Sequence, residues 1–397
     1  EGPTAPRKCR SETVHSSSLM DLPLSLAAGG SAPPGTKPCR HMWPEGIRNR
    51  PEGIRNTAFS IQHSCTPGLA AATCSVLRVS QEMKVVILRE LLPAGRRLLD
   101  GHFKVESLGL NSTRAGMLAA AKGADGLVSD LTFAVDDELL DAAGPQLKVV
   151  ANFGVGYDNV DLDACAERGV TVTNTPDALT NATAELALAL AMAAARDLPG
   201  AEKDLRAGTW QGWDPARWRG FELSGATVGV VGAGRIGGRF LELVSGFGGE
   251  RLYTARNPKP DLEERLGATM VGLDELLGRS DLVSLHLPGG TATRHLIDER
   301  ALSIMKTDAI LVNTGRGTLV DSGALITALH EGRLGAAGLD VFEGEPELDP
   351  GFLEAPRVVL APHIGSATYR ARDEMSRMVA TNVIAVLDGR EPLNPVS

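Results

Sequence analysis

One stretch narrows the possible folds more than any other. The apolar run Thr227-Val-Gly-Val-Val231 passes directly into Gly232-Ala-Gly234-Arg-Ile-Gly237, and then into a helix-compatible run from Arg235 to Leu243. A strand, a tight glycine turn and a helix in that order make the first βα unit of a dinucleotide-binding fold. In such a unit Gly232 permits the turn, Gly234 lets the backbone approach a pyrophosphate, and Gly237 lets the helix pack on the sheet. The helix N-terminus then favours the anion. The bland alternative is an ordinary βα turn, and the flanking strand and helix weigh against it.

The chain from Met83 onward alternates strand-like and helix-like segments. Strands are expected at 84–88, 103–107, 126–129, 147–151 and 170–173, with helices near 92–99, 113–122 and 136–143. A long helix over 182–196 follows. A second set of strands then fits 227–231, 251–254, 282–285, 309–312, 337–340 and 358–360. Such alternation predicts βαβ units on parallel sheets. The expected fold is α/β, with two doubly wound parallel-sheet domains and a cleft between them. A flavodoxin-like substrate domain would cover 83–182, completed by a C-terminal helix within 365–397, and a Rossmann-type nucleotide domain would cover 183–364.

Composition agrees with a small-residue α/β core. Hydrophobic residues make up 43% and aromatic residues only 4%. Residues 1–82 hold 9 Lys/Arg against 6 Asp/Glu, whereas the remainder holds 31 against 43. An acidic body argues against nucleic acid or an anionic membrane as partner. The most apolar stretch, Leu186 to Ala195, is far short of the roughly 20 residues a membrane span needs. Cys9, Cys39, Cys65 and Cys74 lie early in the chain, and the body holds only Cys165. No cysteine cluster has metal-ligand spacing, so no metal is expected. A single body cysteine cannot form an internal disulfide, which suits a reducing, cytoplasmic setting. Cys165 itself reads as a buried helix residue and not as a nucleophile.

Residues 1–82 lack periodicity and are rich in Ser, Pro, Gly and Thr. They carry a tandem repeat, Pro44-Glu-Gly-Ile-Arg-Asn49 and Pro51-Glu-Gly-Ile-Arg-Asn56. They read as a disordered or non-native extension ahead of a start at Met83, with a targeting peptide as the functional alternative.

Four further positions carry chemistry. After the strand at 251–254 the chain reads Ala255-Arg-Asn-Pro-Lys259, with no acid before Asp261. An acid there would favour NAD. Arg256, helped by Asn257 or Lys259, is instead suited to a 2′-phosphate and predicts NADPH. Arg316 stands between two glycines beyond the strand at 309–312, where a guanidinium can grip a carboxylate and polarise a carbonyl. His363 follows the strand at 358–360, and an imidazole titrates close to working pH. Glu345 can hold that ring in one tautomer. Taken singly, each has a structural reading: a turn arginine, a satisfied histidine, a loop carboxylate. Together, in this order and behind a dinucleotide turn, they are far more specific.

These residues resemble the D-isomer-specific 2-hydroxyacid dehydrogenase family. Further matching patterns are Phe153-Gly-Val-Gly-Tyr-Asp-Asn159, Ala182-Thr-Ala-Glu185, Gly338-Leu-Asp-Val-Phe342 and Pro362-His-Ile-Gly365. Within the family the chain is most similar to glyoxylate/hydroxypyruvate reductases, through Tyr253-Thr-Ala-Arg256 and the tryptophan loop Gly208-Thr-Trp-Gln-Gly-Trp213. The resemblance implies that Arg316 binds substrate, His363 donates a proton and Glu345 supports it. Backbone amides at Val155 and Gly156 would cradle the substrate carboxylate, beside Leu131 and Thr132. Asp340 would meet the nicotinamide carboxamide and Thr183 the cofactor phosphates, with Arg235, Ile236 and Thr314 also at the cofactor. A homodimer through the nucleotide domains is implied. Trp213 matches a position where a partner's indole closes the pocket, and a packed loop aromatic is the alternative.

The expectation is therefore NADPH-dependent reduction of a small 2-oxo acid, glyoxylate or hydroxypyruvate, to the D-2-hydroxy acid. The alternatives are a reductase for bulkier 2-oxo acids, an NAD-dependent enzyme such as phosphoglycerate dehydrogenase, and a non-catalytic dinucleotide-sensing protein.

Overall fold

The structure, a computed structural model, describes residues 82–396. The expectations for the N-terminal extension, its tandem repeat and Cys9, Cys39, Cys65 and Cys74 lie outside the described residues.

The first sheet contains β1 (Lys84–Ile87), β2 (Lys104–Ser107), β3 (Gly126–Ser129), β4 (Val149–Asn152) and β5 (Thr171–Thr173). Their spatial order is β2-β1-β3-β4-β5, and every pairing is parallel. This is the flavodoxin-like winding, in which the chain reverses direction across the sheet after β2. Helices α1 (Pro93–Asp100), α2 (Arg114–Ala121), α3 (Asp137–Ala143) and α4 (Leu162–Glu167) make the crossovers. β3 and β4 are buried along their whole length. That burial on both faces is why they read as apolar runs and not as alternating ones. Cys165 is buried in α4, and burial pushes its thiol up to about 11, as suits an inert core residue.

The chain leaves this sheet through α5 (Thr180–Ala195), followed by α6 (Leu198–Arg206). Alanine and leucine fill α5, so it lies close on the second sheet. A Cβ on Gly338 would come within 2.9 Å of Leu190 Cβ. The helix begins at Thr180, so the expected boundary at 182/183 falls inside it. Its small, polar first turn carries no apolar period, which hid its start.

The second sheet contains β6 (Val228–Val231), β7 (Arg251–Thr254), β8 (Thr269–Met270), β9 (Leu282–Leu285), β10 (Ile310–Asn313), β11 (Ala336–Leu339) and β12 (Val358–Leu360). Their order is β12-β11-β10-β9-β6-β7-β8, again parallel throughout. Helices α7 (Arg235–Val244), α8 (Pro260–Leu266), α9 (Leu273–Arg279), α10 (Glu299–Ile304), α11 (Ser322–His330) and α12 (Gly351–Glu354) flank it. The last helix, α13 (Tyr369–Leu387), packs back on α1 and β4.

Helices α4, α6 and α8 to α12 were absent from the sequence expectations. Each has nine residues or fewer, a span over which a helical period is weak, and α1 to α3, of similar length, are legible because they fall between clear strands. Their N-caps were the readable signal. Asp161, Asp298 and Asp321 accept backbone N–H bonds at the starts of α4, α10 and α11.

Both sheets send the carboxyl ends of their strands into one cleft of about 1600 Å³. That exceeds the roughly 300–1000 Å³ of ordinary small-molecule sites and leaves room for two ligands. The described residues belong to one compact unit, and among them no helix is long and apolar enough to cross a membrane.

Candidate active site

The glycine turn has the geometry its spacing implies. Gly232 sits at φ +97°, a backbone region that side chains disfavour. A Cβ on Gly237 would come within 2.2 Å of the Gly232 carbonyl oxygen, so α7 packs hard against the turn. Around Gly234 there is open space, with nothing within 4 Å of a Cβ placed there. Gly234 is also the N-cap of α7 and supplies no capping side chain. Helices α2 and α3, by contrast, are capped by Thr113 and Asp136. The first-turn N–H groups of α7, those of Arg235 and Ile236 among them, are thus left for an anion. The Arg235 side chain pairs with Asp177 at 2.6 Å.

Two buried polar atoms at this end of the cleft have no partner among the described residues, Thr314 Oγ1 and His286 Nδ1. Buried polar atoms are rarely left unpaired. With an uncapped helix beside them, they fit a bound dinucleotide. His286 was not a sequence candidate. Burial pushes its imidazole down to about 3, so the ring is neutral. Its Nε2 lies 2.9 Å from Ser284 Oγ. Arg256 and Asn257 are exposed beyond β7, and Arg256 makes no ion pair with the described residues. Lys259 lines a smaller pocket of about 380 Å³ beside Gly234, shared with Arg239 and Arg265.

The loop after β4 forms the opposite wall. Asn174 Nδ2 donates to the Val155 carbonyl at 2.8 Å, and Asn152 Nδ2 donates to the Gly156 carbonyl at 2.7 Å. In a trans peptide the N–H points opposite to the C=O. Tying the carbonyls back therefore turns the Gly156 and Tyr157 amides the other way. Among the described residues the amides of Val155, Gly156 and Tyr157 have no acceptor. Val155, Gly156, Leu131 and Thr132 all line the cleft.

Arg316 reaches this loop from the end of β10. Its Nε donates to both carboxylate oxygens of Asp158, at 2.9 and 3.1 Å. Its Nη2 lies where a Gly156 side chain would be, 1.6 Å from an ideal Cβ. Asn313 shapes the turn that delivers it, bonding the Arg316 carbonyl and the Gly315 amide. Asp158 lies inside the pattern Phe153–Asn159 and Asn313 directly follows the expected strand at 309–312, yet neither has a role that the sequence assigns. Their partners are visible only in three dimensions.

His363 stands at φ +52°, in a turn wrapped around Asp340. The Asp340 carboxylate accepts from Ile364 N at 2.7 Å and from Gly365 N at 2.8 Å, and its carbonyl accepts from His363 N at 2.9 Å. Burial pushes the Asp340 carboxyl up, against the pull of those amides and of His363. Thr183 Oγ1 joins the turn by donating to the Gly365 carbonyl at 3.1 Å. His363 Nδ1 meets Glu345 Oε2 at 2.6 Å, and Glu345 Oε1 accepts from Phe342 N at 2.7 Å. Burial pushes the Glu345 carboxyl up, but its bond to His363, that residue's charge and the more distant Arg316 outweigh this and hold it below its ordinary value. A carboxylate on Nδ1 fixes the N–H there and leaves Nε2 for chemistry.

Trp213 corrects a sequence expectation. It is 86% exposed and does not line the cleft of its own chain, so it is not a packed loop aromatic. The α6–β6 loop carries it outward, away from any described neighbour that would bury the indole.

Residues 188–365 match the D-isomer specific 2-hydroxyacid dehydrogenase, NAD binding domain. Glyoxylate reductase of Thermococcus onnurineus is 46% identical over 315 residues, which is 78% of this chain and 94% of that protein. The chain belongs to the D-isomer-specific 2-hydroxyacid dehydrogenase family. As a member it is an NAD(P)-dependent enzyme, which sets aside the non-catalytic alternative. Among solved structures, a Thermus thermophilus protein superposes with a TM-score of 0.74 at 43% identity, covering 79% of this chain and all of that one. The NADPH-dependent glyoxylate/hydroxypyruvate reductase of Sinorhizobium meliloti, in complex with NADP and malonate, superposes at 0.70 with 35% identity, over 79% of this chain and 97% of that one.

Proposed function

We propose that this dehydrogenase uses NADPH to reduce glyoxylate to glycolate and hydroxypyruvate to D-glycerate. The observation that carries the reading is the His363–Glu345 pair lining the same cleft as Arg316 and the unpaired amides of Val155 and Gly156. Relatives named glyoxylate reductase, and the Sinorhizobium protein named as NADPH-dependent, support the substrate and cofactor.

In this reading the five-stranded unit with α13 holds the substrate and the seven-stranded unit holds the dinucleotide. The free amides and the Arg316 guanidinium grip the substrate carboxylate, while Leu131 bounds the small pocket. Bound NADPH supplies the hydride that reaches the carbonyl carbon. The imidazolium form of His363 gives the proton on Nε2 to the carbonyl oxygen, and Glu345 holds the N–H on Nδ1 and favours that charged form. Arg316 stabilises the oxygen as charge develops on it. The amides at Arg235 and Ile236 and the Thr314 hydroxyl serve the cofactor phosphates, and Thr183 joins them by turning its hydroxyl from the Gly365 carbonyl. Asp340 orients the nicotinamide amide, and Arg256 with Asn257 receives the 2′-phosphate.

Leu198, Leu205, Trp210 and Trp213 are exposed on α6 and the following loop. This face suits burial against a second copy in a homodimer, with Trp213 reaching the partner's cleft. The unpaired, buried Cys165 suits the reducing cytoplasm.

The test is steady-state oxidation of NADPH and NADH, each with glyoxylate, hydroxypyruvate and a branched 2-oxo acid. Faster turnover of the two small acids with NADPH supports the reading. A preference for NADH or for the branched acid overturns the cofactor or the substrate assignment.

A further inference from the structure

Beyond β7, the loop 255–259 carries the basic residues that face the adenosine end of the cofactor in the reading above. Among the described residues, the bond that ties the far end of this loop back to the sheet is made by a side chain whose position in sequence suggests only core packing. Tyr253 is fully buried in β7, within the apolar cluster that also holds Phe240 and Leu241 of α7. Its hydroxyl nevertheless accepts the Lys259 backbone N–H at 2.7 Å and donates to Glu263 Oε1 of α8 at 2.5 Å. The loop is thus held covalently by β7 at Thr254, while at Lys259 the carbonyl accepts the Leu262 and Glu263 amides of α8 and the N–H is tied back to the sheet by the phenol. Between these points Arg256 and Asn257 make no side-chain hydrogen bond with the described residues. Lys259 then opens α8 and lines the small pocket beside Gly234, together with Arg239 and Arg265. Arg239 and Arg265 both bond Glu242, and Arg235, which also lines this pocket, pairs with Asp177, so the pocket's other cations are already held in place.

We infer that the Tyr253 hydroxyl is a positioning device for cofactor selectivity, setting the loop that receives a ribose 2′-phosphate. The inference rests on the NADPH reading. A flexible loop of cations loses entropy on gripping a phosphate, and a loop already pinned at both ends loses less. The effect is confined to ligands bearing that phosphate, because the glycine turn and the α7 amides do not touch the hydroxyl.

The experiment is calorimetric titration of the full chain with adenosine 2′,5′-bisphosphate and with 5′-AMP, which reads binding without turnover. The wild-type protein is expected to prefer the bisphosphate. In Tyr253→Phe, bisphosphate binding is expected to weaken roughly fivefold, the scale of one lost hydrogen bond, with 5′-AMP changed less than about twofold. Equal losses for both ligands, or no loss, overturn the inference while leaving the NADPH reading intact. A wild-type protein without preference for the bisphosphate overturns the NADPH reading and the inference with it. Should Tyr253→Phe not fold, Glu263→Ala and Glu263→Gln decide. Alanine removes the acceptor that orients the phenol and should weaken the bisphosphate selectively, whereas glutamine keeps an acceptor and should restore it. An alanine variant with wild-type selectivity overturns the inference.

Discussion

Asp158, from the five-stranded unit, holds Arg316, from the seven-stranded unit, through both carboxylate oxygens on Nε. The two residues lie 158 positions apart in the chain and meet across the cleft. The pair fixes the guanidinium plane so that Nη2 faces the amides of the β4 loop. In the proposed reading it also couples substrate grip to the approach of the two units, since the bond forms only where Asp158 and Arg316 meet. Asp158→Ala is expected to lower kcat/KM for glyoxylate about tenfold, the scale of a lost charge-assisted bond at a partly exposed site. Asp158→Asn keeps one acceptor and should lose less. Steady-state kinetics with both variants check this, and unchanged kinetics in Asp158→Ala would remove the pair from the account.

Gly156 has no room for a side chain because Arg316 Nη2 fills it. Gly156→Ala should displace the guanidinium by an ångström or more. Misplacement of that size costs about 100-fold in turnover efficiency. The dissociation constant for NADPH, measured by fluorescence, should stay within about threefold, because the glycine turn is remote from this loop.

Much of this site was legible because its signals are local. The turn at 232–237 is read within one βα unit, and Arg316 and His363 each follow an apolar strand, where open parallel sheets place ligands. Glu345 needed its two companions to stand out. Asp158 was quoted within a matching pattern but given no role, since its partner is on another sheet. Tyr253 reads as a strand core residue, and only the return of α8 brings a backbone amide to its hydroxyl. His286 also follows an apolar strand, but unlike His363 it has no companion carboxylate or arginine motif in sequence to mark it out. The exposure of Trp213 followed from no sequence pattern, because packed and projecting loop aromatics look alike in one dimension.

Glu345 links the site to acid stability. Its folded carboxyl lies below the ordinary value of 4.5, so its ionised form stabilises the folded state. That contribution is complete above the unfolded value and fades as pH falls through the folded one. The gap in melting temperature between wild type and Glu345→Gln should therefore be constant near neutrality and narrow in the acid range. Calorimetry at a series of pH values measures it. A gap that widens on acidification would reverse the assigned direction.

In the proposed reaction His363 delivers the proton to the 2-oxo acid. The most direct test compares NADPH oxidation by wild type and His363→Ala at saturating glyoxylate, with NADPH binding measured on both. The expected result is rapid turnover by the wild type, a loss of about 100-fold or more in the variant, and binding unchanged within about threefold. Equal turnover by the two proteins would exclude His363 as the proton donor.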